Sequence, residues 1–499
     1  MGTASIRLAS ADGYEAKLRK DGHVIADFAA RKAEIDSQLQ AEAKRQKASL
    51  GEYEPLLEEV TALVEFPAIY AGAFDASFLE VPHECLLLTM RQNQKYFPLF
   101  ASDGKLLPKF LIVSNMRVND PRHIIAGNER VVRPRFEDAR FFFNQDRKIR
   151  LEARVPQLAK VVYHNKLGSQ LDRVQRIKLV AGDIVRQLDA DFMLAERAAE
   201  LCKADLLTGM VGEFPELQGT MGRYYALHDG EQQEVADAIE QHYRPRFAGD
   251  SLPRGPVASS VALADKLATL AGLFGIGQQP TGEKDPFGLR RAALGLIRIV
   301  VENQLPLSLH ELVNAAFTAY DGKIGDAHLD LETFVFDRFS GYLKDLGFST
   351  LQIDAVLSLR PVQLSQVPRQ LEAVKAFQAL QEAESLAAAN KRVVNILKQA
   401  AAKGESFSKA DRDALKEPAE IALYDALSTA SGKANALLER KDYAGYLKTF
   451  AVLKTPVDAF FDSVMVMVEQ ETLRKNRLAL LNDLREAMNR VADISKLAT

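Results

Sequence analysis

Only two cysteines, Cys85 and Cys202, occur in 499 residues, too few for a disulfide framework. The opening stretch, MGTASIRLASADGYEAKLRK, lacks the apolar core of a secretory leader. The longest apolar run, around Ala292 to Val301, is short and interrupted by Arg298, so no segment reads as a membrane span. These absences set an expectation of a cytoplasmic chain with no membrane partner. An excess of positive charge is missing as well: the formal net charge is -3, so a nucleic-acid partner would need a local basic surface. The phosphate-cradling pattern GxxxxGK[ST] occurs nowhere, although Gly275, Gly277 and Gly282 stand close together.

Hydrophobic residues make up 47% of the chain and charged residues 26%, a globular balance. At this length one core does not suffice, and two to four domains are expected. From Ser10, a candidate N-cap, to Lys47, apolar residues fall at near-helical spacing among many charges. Between Leu56 and Asn115 a helical run gives way to KYFPLF and KFLIVSN, two β-like runs joined through Asp103 and Gly104, which predicts a hairpin in an α+β domain. From Val161 to Val301 the spacing predicts consecutive helices over 169–188, 192–210, 231–242 and 259–274. Ser308 to Ala389 reads as a helical connector, and Ala387 to Thr499 as a final helical bundle.

Arg117 to Arg154 is the most basic segment, with ten Lys or Arg against six acids and Phe136, Phe141, Phe142 and Phe143 interleaved. Arginines among aromatics suit phosphate contact plus stacking on unpaired bases, which makes Arg133, Arg135 and Arg140 candidates. The competing reading is an amphipathic helix with buried phenylalanines and solvated or paired arginines. Lys95 and Tyr96 are weaker candidates. Asp285 is placed to cap a helix starting at Pro286, putting Arg290 and Arg291 in its first turns, where cations oppose the macrodipole and call for an anion, carboxylate or phosphate. Lys391, Arg392, Asn395 and Lys398 form one polar cluster in the final bundle, and Arg474, Lys475, Asn476 and Arg477 another. Four consecutive helical residues sweep about 300°. Leu473 and Leu478 then fix the buried side, Arg477 lies nearest it, and Arg474 and Lys475 point outward. Gly209, Gly212, Gly219 and Gly222 crowd a predicted helix stopping near Pro215 and suggest close backbone packing or approach to a ligand.

Four stretches carry a resemblance: LEVPHECLLLTMRQNQKYFPLF (79–100), KADLLTGMVGEFPELQGTMGRYYA (203–226), PTGEKDPFGLRRAALG (280–295) and FFDSVMVMVEQETLRKNRLALL (460–481). In order and composition they resemble the β-subunit family of bacterial glycyl-tRNA synthetases, class II enzymes with separate α and β chains. That resemblance implies a multidomain, mainly α fold. Its parts are an α+β editing-like domain over 1–155, similar to one in the phenylalanyl-tRNA synthetase β subunit, and an all-α HD-like domain over 156–305. A helical connector over 306–385 and a DALR-type anticodon-binding bundle over 386–499 complete it. Family members carry further sequence ahead of this start, which implies an N-terminally shortened chain whose Met1 and Gly2 are a cloning remnant. HD-type hydrolases hold a metal with spaced His and Asp residues. Here those positions are His164, Asp205 and Asp265, with Ala204 replacing the second histidine, so the expected site is degenerate and binds no metal.

The implied function is tRNA binding for glycine–tRNA ligase. Neither the HIGH and KMSKS motifs nor a class II catalytic core is legible, so no catalytic residue and no cofactor are expected on this chain. ATP and Mg2+ belong to the α subunit, and the implied partners are that subunit, in a heterotetramer of two α and two β chains, and tRNA(Gly). The alternatives are an HD-type metal-dependent phosphohydrolase and a scaffold for the α subunit that never touches RNA.

Overall fold

Asp27 opens the first long helix by accepting a hydrogen bond from the Ala30 amide at 2.6 Å, the usual way a carboxylate satisfies an orphan N–H at a helix start. This helix, α1 (Phe28–Arg45), buries Ile35, Leu39 and Ala43, a stripe at four-residue spacing. Ser10 makes no side-chain cap; the preceding chain forms only short turns of helix that end at His23, whose φ of 54° no helix can continue. α2 (Glu54–Leu63) packs beside α1, and both cover a three-stranded antiparallel sheet ordered β1-β3-β2. Its strands are β1 (Ala68–Ala73), β2 (Phe97–Phe100) and β3 (Leu106–Ser114).

The computed structural model describes residues 5–8 and 10–498, so Met1 and Gly2 lie outside the described residues. β2 and β3 form the hairpin expected from the sequence, turning at Gly104 with φ +81°. Strand β1, AIYAGA, gives no β signal because three alanines and a glycine have low strand propensity. It forms because Gly72 leaves room for the Phe110 ring of β3: a Cβ there would come within 2.8 Å of it.

Two compact units result, one from residues up to Val161 with Leu201–Glu240, the other from Val162–Glu200 with residues from Gln241 onward. The first unit includes α3 (Arg122–Asp146), which buries Val132, Phe136, Ala139, Phe143 and Asp146 along one face. The second contains α4 (Gln170–Gln187), started by a reciprocal capping box between Ser169 and Asp172. It also contains α5 (Gly255–Gly275), the one helix among the described residues long and apolar enough to cross a membrane, and 94% of that apolar window is buried inside the protein. α4 and α6 (Leu289–Glu302) pack against α5. The carboxyl-terminal part of this unit is helical, with α7 (Ala383–Ala402), α8 (Pro418–Glu439) and α9 (Glu471–Met488) as its longest elements.

Two helix expectations need correction. The helix predicted over 192–210 stops at Leu201 and continues as a 3-10 turn at Ala204–Leu207 and a short helix at Gly209–Glu213. Thr208 separates the last two by adopting extended geometry and capping the Val211 amide. Asp285 does cap a helix, but α6 begins at Leu289: the carboxylate accepts from the Leu289 and Arg290 amides at 2.8 and 2.9 Å. Gly288, at φ +66°, occupies the turn between them.

Candidate nucleic-acid interface

Along α3 the helical repeat separates the phenylalanines. Phe136 and Phe143 are core, Phe142 is half-buried, and Phe141 is 57% exposed. Arg130, Arg133 and Arg135 are exposed on the same helix, so an exposed aromatic ring shares its outer surface with three cations. Arg140 is committed differently, lying 4.6 Å over the Phe78 ring. Lys95 pairs with Glu59 at 2.6 Å. The segment is therefore amphipathic and also presents a basic outer side; the two readings are compatible.

The glycine-rich stretch is organised by two buried carboxylates. Asp146, at the end of α3, accepts from the Gly209 and Met210 amides at 2.8 and 2.9 Å and from the Tyr225 hydroxyl at 2.9 Å. The Arg154 guanidinium lies 3.6 Å away. Burial, with Asp146 beside it, holds the Tyr225 phenol far above its ordinary pKa. Asp205 accepts from the Gly219 and Gly222 amides at 2.6 and 3.1 Å. Gly209 and Gly222 serve close packing: a Cβ would come within 2.8 Å of Phe142 at the first and 2.7 Å of Ile239 at the second. Gly219 is needed for its φ of +82°. Around Gly212 there is open space.

Asp205 is wholly buried, one of its oxygens has no hydrogen-bond partner among the described residues, and burial pushes its pKa up to about 6 against the opposing pull of Lys203. Between about pH 4 and 6 the folded chain keeps a proton that the unfolded chain has released. The stability this group contributes is present below that window and lost as pH rises through it. Compared with Asp205→Asn, the wild type is expected to lose on the order of 2 kcal/mol of relative stability across the window. Hydrogen exchange at the Gly219 and Gly222 amides of both proteins at pH 4 and 7, corrected for the intrinsic rates, measures this; a pH-independent difference would contradict it.

The other two degenerate positions are occupied as well. His164 accepts at Nδ1 from the Lys166 amide, which leaves Nε2 to donate to Gln278 at 3.1 Å. Asp265 forms an ion pair with Arg173 at 2.8 Å. Among the described residues no three His, Cys, Asp or Glu side chains are grouped to hold a metal ion. At the start of α6, Arg290 donates to the Gly282 carbonyl and Arg291 is exposed.

In the carboxyl-terminal helices the cluster at the start of α9 divides. Arg477 is buried against Glu420, itself fully buried, and also donates to the Met465 carbonyl at 2.7 Å. Asn476 exchanges two 2.8 Å hydrogen bonds with the Asp411 backbone, as a second peptide group would. Arg474 bonds Glu405 at 2.9 Å and the Val468 carbonyl at 3.0 Å. Three of the four side chains thus hold the flanking loops onto α9. Lys475 alone is well exposed, with a surface pair to Glu471 at 2.6 Å. On α7, Lys391 is exposed and reaches the Ala498 carbonyl at 3.1 Å, while exposed Arg392 lies 4.3 Å over the Phe461 ring.

One feature escaped the sequence. Between α8 and α9 lies a cleft of about 830 Å³ with Tyr424, Ser428, Ser431 and Asn435 along one wall and Glu486 and Arg490 on the other. The first four recur at helical spacing, a polar stripe that could have been noticed, but the facing wall comes from a distant segment.

A family model described as glycyl-tRNA synthetase beta subunit matches residues 1–358, and one described as DALR anticodon binding domain matches 386–496. The glycine–tRNA ligase beta subunit of Aromatoleum aromaticum is 55% identical over 501 residues, spanning all of this chain and 72% of the relative. The protein of the same name from Thiobacillus denitrificans is 58% identical over 500 residues, 99% of this chain and 70% of the relative.

Proposed function

The chain belongs to the glycyl-tRNA synthetase β-subunit family, and from that premise we propose how it divides the work of a glycine–tRNA ligase with its partner. The function is that of the ligase's β subunit, with an anticodon-binding domain at 386–496. One observation carries this: a single chain matches the β-subunit family over 1–358 and a DALR domain after it. The relatives' name implies an α subunit, which in this reading binds ATP and Mg2+ and activates glycine. The assembly is a cytoplasmic heterotetramer of two α and two β chains. The β chain grips tRNA(Gly), its acceptor arm toward the editing-like and HD-like parts and its anticodon loop in the last domain.

The sheet at 68–114 and the helices from 170 onward support that layout. Paired or hydrogen-bonded His164, Asp205 and Asp265 support a structural role for the degenerate positions. The exposed cations Arg133, Arg135, Arg291, Lys391 and Lys475 suit phosphate contact, because exposed, solvated guanidinium and ammonium groups bind RNA by displacing its counterions. Asn476 and Arg477 have their polar groups engaged within the protein, and we assign them to the domain's architecture.

The purified chain alone is expected to give no glycine-dependent pyrophosphate exchange, and addition of the α subunit to restore charging of tRNA(Gly). Exchange by the β chain alone would refute this division. A separate expectation concerns α3: changing Arg133 and Arg135 together to Ala should weaken binding of every tRNA. It should also reduce the slope of log affinity against log salt by about 1 to 2. An unaltered slope at wild-type affinity would return those arginines to the solvated surface.

A further inference from the structure

A second recess of about 370 Å³, beside residues 356–370, adjoins the cleft between α8 and α9 at Leu359 and Arg490, which line both spaces. The two spaces flank these residues as one interrupted groove. Its chemistry is mixed along its length. Tyr424 offers an aromatic ring, Ser428 and Ser431 keep α8 low so that the space stays open, and Asn435 presents an amide. Arg490 sits where the two spaces join, one guanidinium nitrogen donating to the Asn435 side-chain oxygen at 2.8 Å. In the recess, the side-chain oxygen of Gln370 is buried without a hydrogen-bond partner among the described residues. A buried acceptor left unpaired is costly, and a donor carried by a ligand would remove that cost.

Charge decides what could lie here. In the cleft, Lys409, Arg485 and Arg490 are balanced by Asp483, Glu486 and Asp493, Lys409 is already paired with Asp483 at 2.9 Å, and Arg360 adds one positive charge in the recess. A cleft whose charges cancel offers phosphates no net attraction. A ring to stack on, hydroxyls, an amide and carboxylates able to accept from exocyclic amines instead match the edges and faces of unpaired bases.

We propose that this groove receives splayed-out bases of the tRNA anticodon loop, with Tyr424 as the stacking surface and Asn435, Arg490 and Gln370 as edge contacts. The proposal rests on reading 386–496 as the anticodon-binding domain, and it moves the reading of bases away from the start of α9.

The test uses the assembled α/β enzyme and tRNA(Gly) transcripts with cognate and substituted anticodons. Ser431→Trp fills the cleft, and Asn435→Ala removes one edge contact while disturbing the helix little. Each should lower kcat/KM for the cognate transcript by about tenfold, mostly through KM, and shrink the penalty for a substituted anticodon. Thermal melting should stay close to wild type for Asn435→Ala, which decides the matter if Ser431→Trp fails to fold. Wild-type discrimination in a folded Asn435→Ala, Gln370→Leu double variant would overturn the groove. If Lys391→Ala with Arg392→Ala abolishes discrimination while the groove variants keep it, the domain reading stands and the groove is wrong. A wild-type enzyme indifferent to the anticodon would overturn both.

Discussion

Glu420→Ala is expected to destabilise the carboxyl-terminal helices by about 3–5 kcal/mol, the cost of leaving a buried charge without its partner. Glu420 accepts from the Lys416 and Glu417 amides at 2.8 and 3.1 Å while pairing with Arg477. Its loss therefore orphans two N–H groups at the start of α8 together with a guanidinium that is 4% exposed. Hydrogen exchange at the amides of α8 and α9 in the full chain measures the effect locally, which matters because a chain of several units does not unfold in one step. Replacing both partners, Glu420→Leu with Arg477→Met, should recover part of the loss, since an apolar pair removes the desolvation penalty along with the attraction but leaves the two amides at the start of α8 without their acceptor. The double variant also separates stability from recognition. Retained anticodon discrimination in a refolded double variant assigns Arg477 to architecture, whereas stability regained without discrimination would assign it to base reading.

Asp146→Ala should have an effect of similar size, about 3–5 kcal/mol, in the other unit. The carboxylate gathers two amides, a phenol and Arg154, and Arg154 also donates to the Leu207 and Asp146 carbonyls at 2.9 and 3.0 Å. Truncation strands the two amides and the phenol and leaves Arg154 with its carbonyl partners but without its counter-ion. Asp146→Asn keeps the shape but places an NH₂ or a neutral oxygen where donors converge, so roughly half the loss is expected. Protection of the Gly209 and Met210 amides should fall first. If those amides exchange as slowly in Asp146→Ala as in wild type, the carboxylate does not organise the stretch.

Local chemistry is what the sequence made legible. The helix expected from 169 and the hairpin around Gly104 are set within a few residues, and both follow from short-range rules. The placement of Arg477 nearest the buried side followed from periodicity alone. Its partner did not: Glu420 lies 57 residues away, and Asp411 and Glu405, the partners of Asn476 and Arg474, are comparably remote. A cation's side of a helix can be read from spacing, but whether a carboxylate from elsewhere has claimed it cannot. The same holds for β1, whose alanines gain a strand only from the ring of Phe110 and the ladder of β3. The boundary at Thr208 reflects competition: its hydroxyl caps the helix Gly209–Glu213 and so ends the 3-10 turn Ala204–Leu207.

The burial of α5 has a consequence for how the chain is made. This helix has almost no polar face, and the segments that cover it on the carboxyl-terminal side, α6 and the helices Leu309–Thr318 and His328–Asp345, are synthesised after it. At about 5–20 residues per second, several seconds separate the emergence of α5 from that of its last cover. During that interval only α4, already synthesised, can shield it. A chain interrupted between Gly275 and Leu309 would keep an apolar helix exposed permanently, so premature termination in this interval should yield aggregates rather than a shorter folded protein, whereas the same helix is inert once translation has passed Asp345.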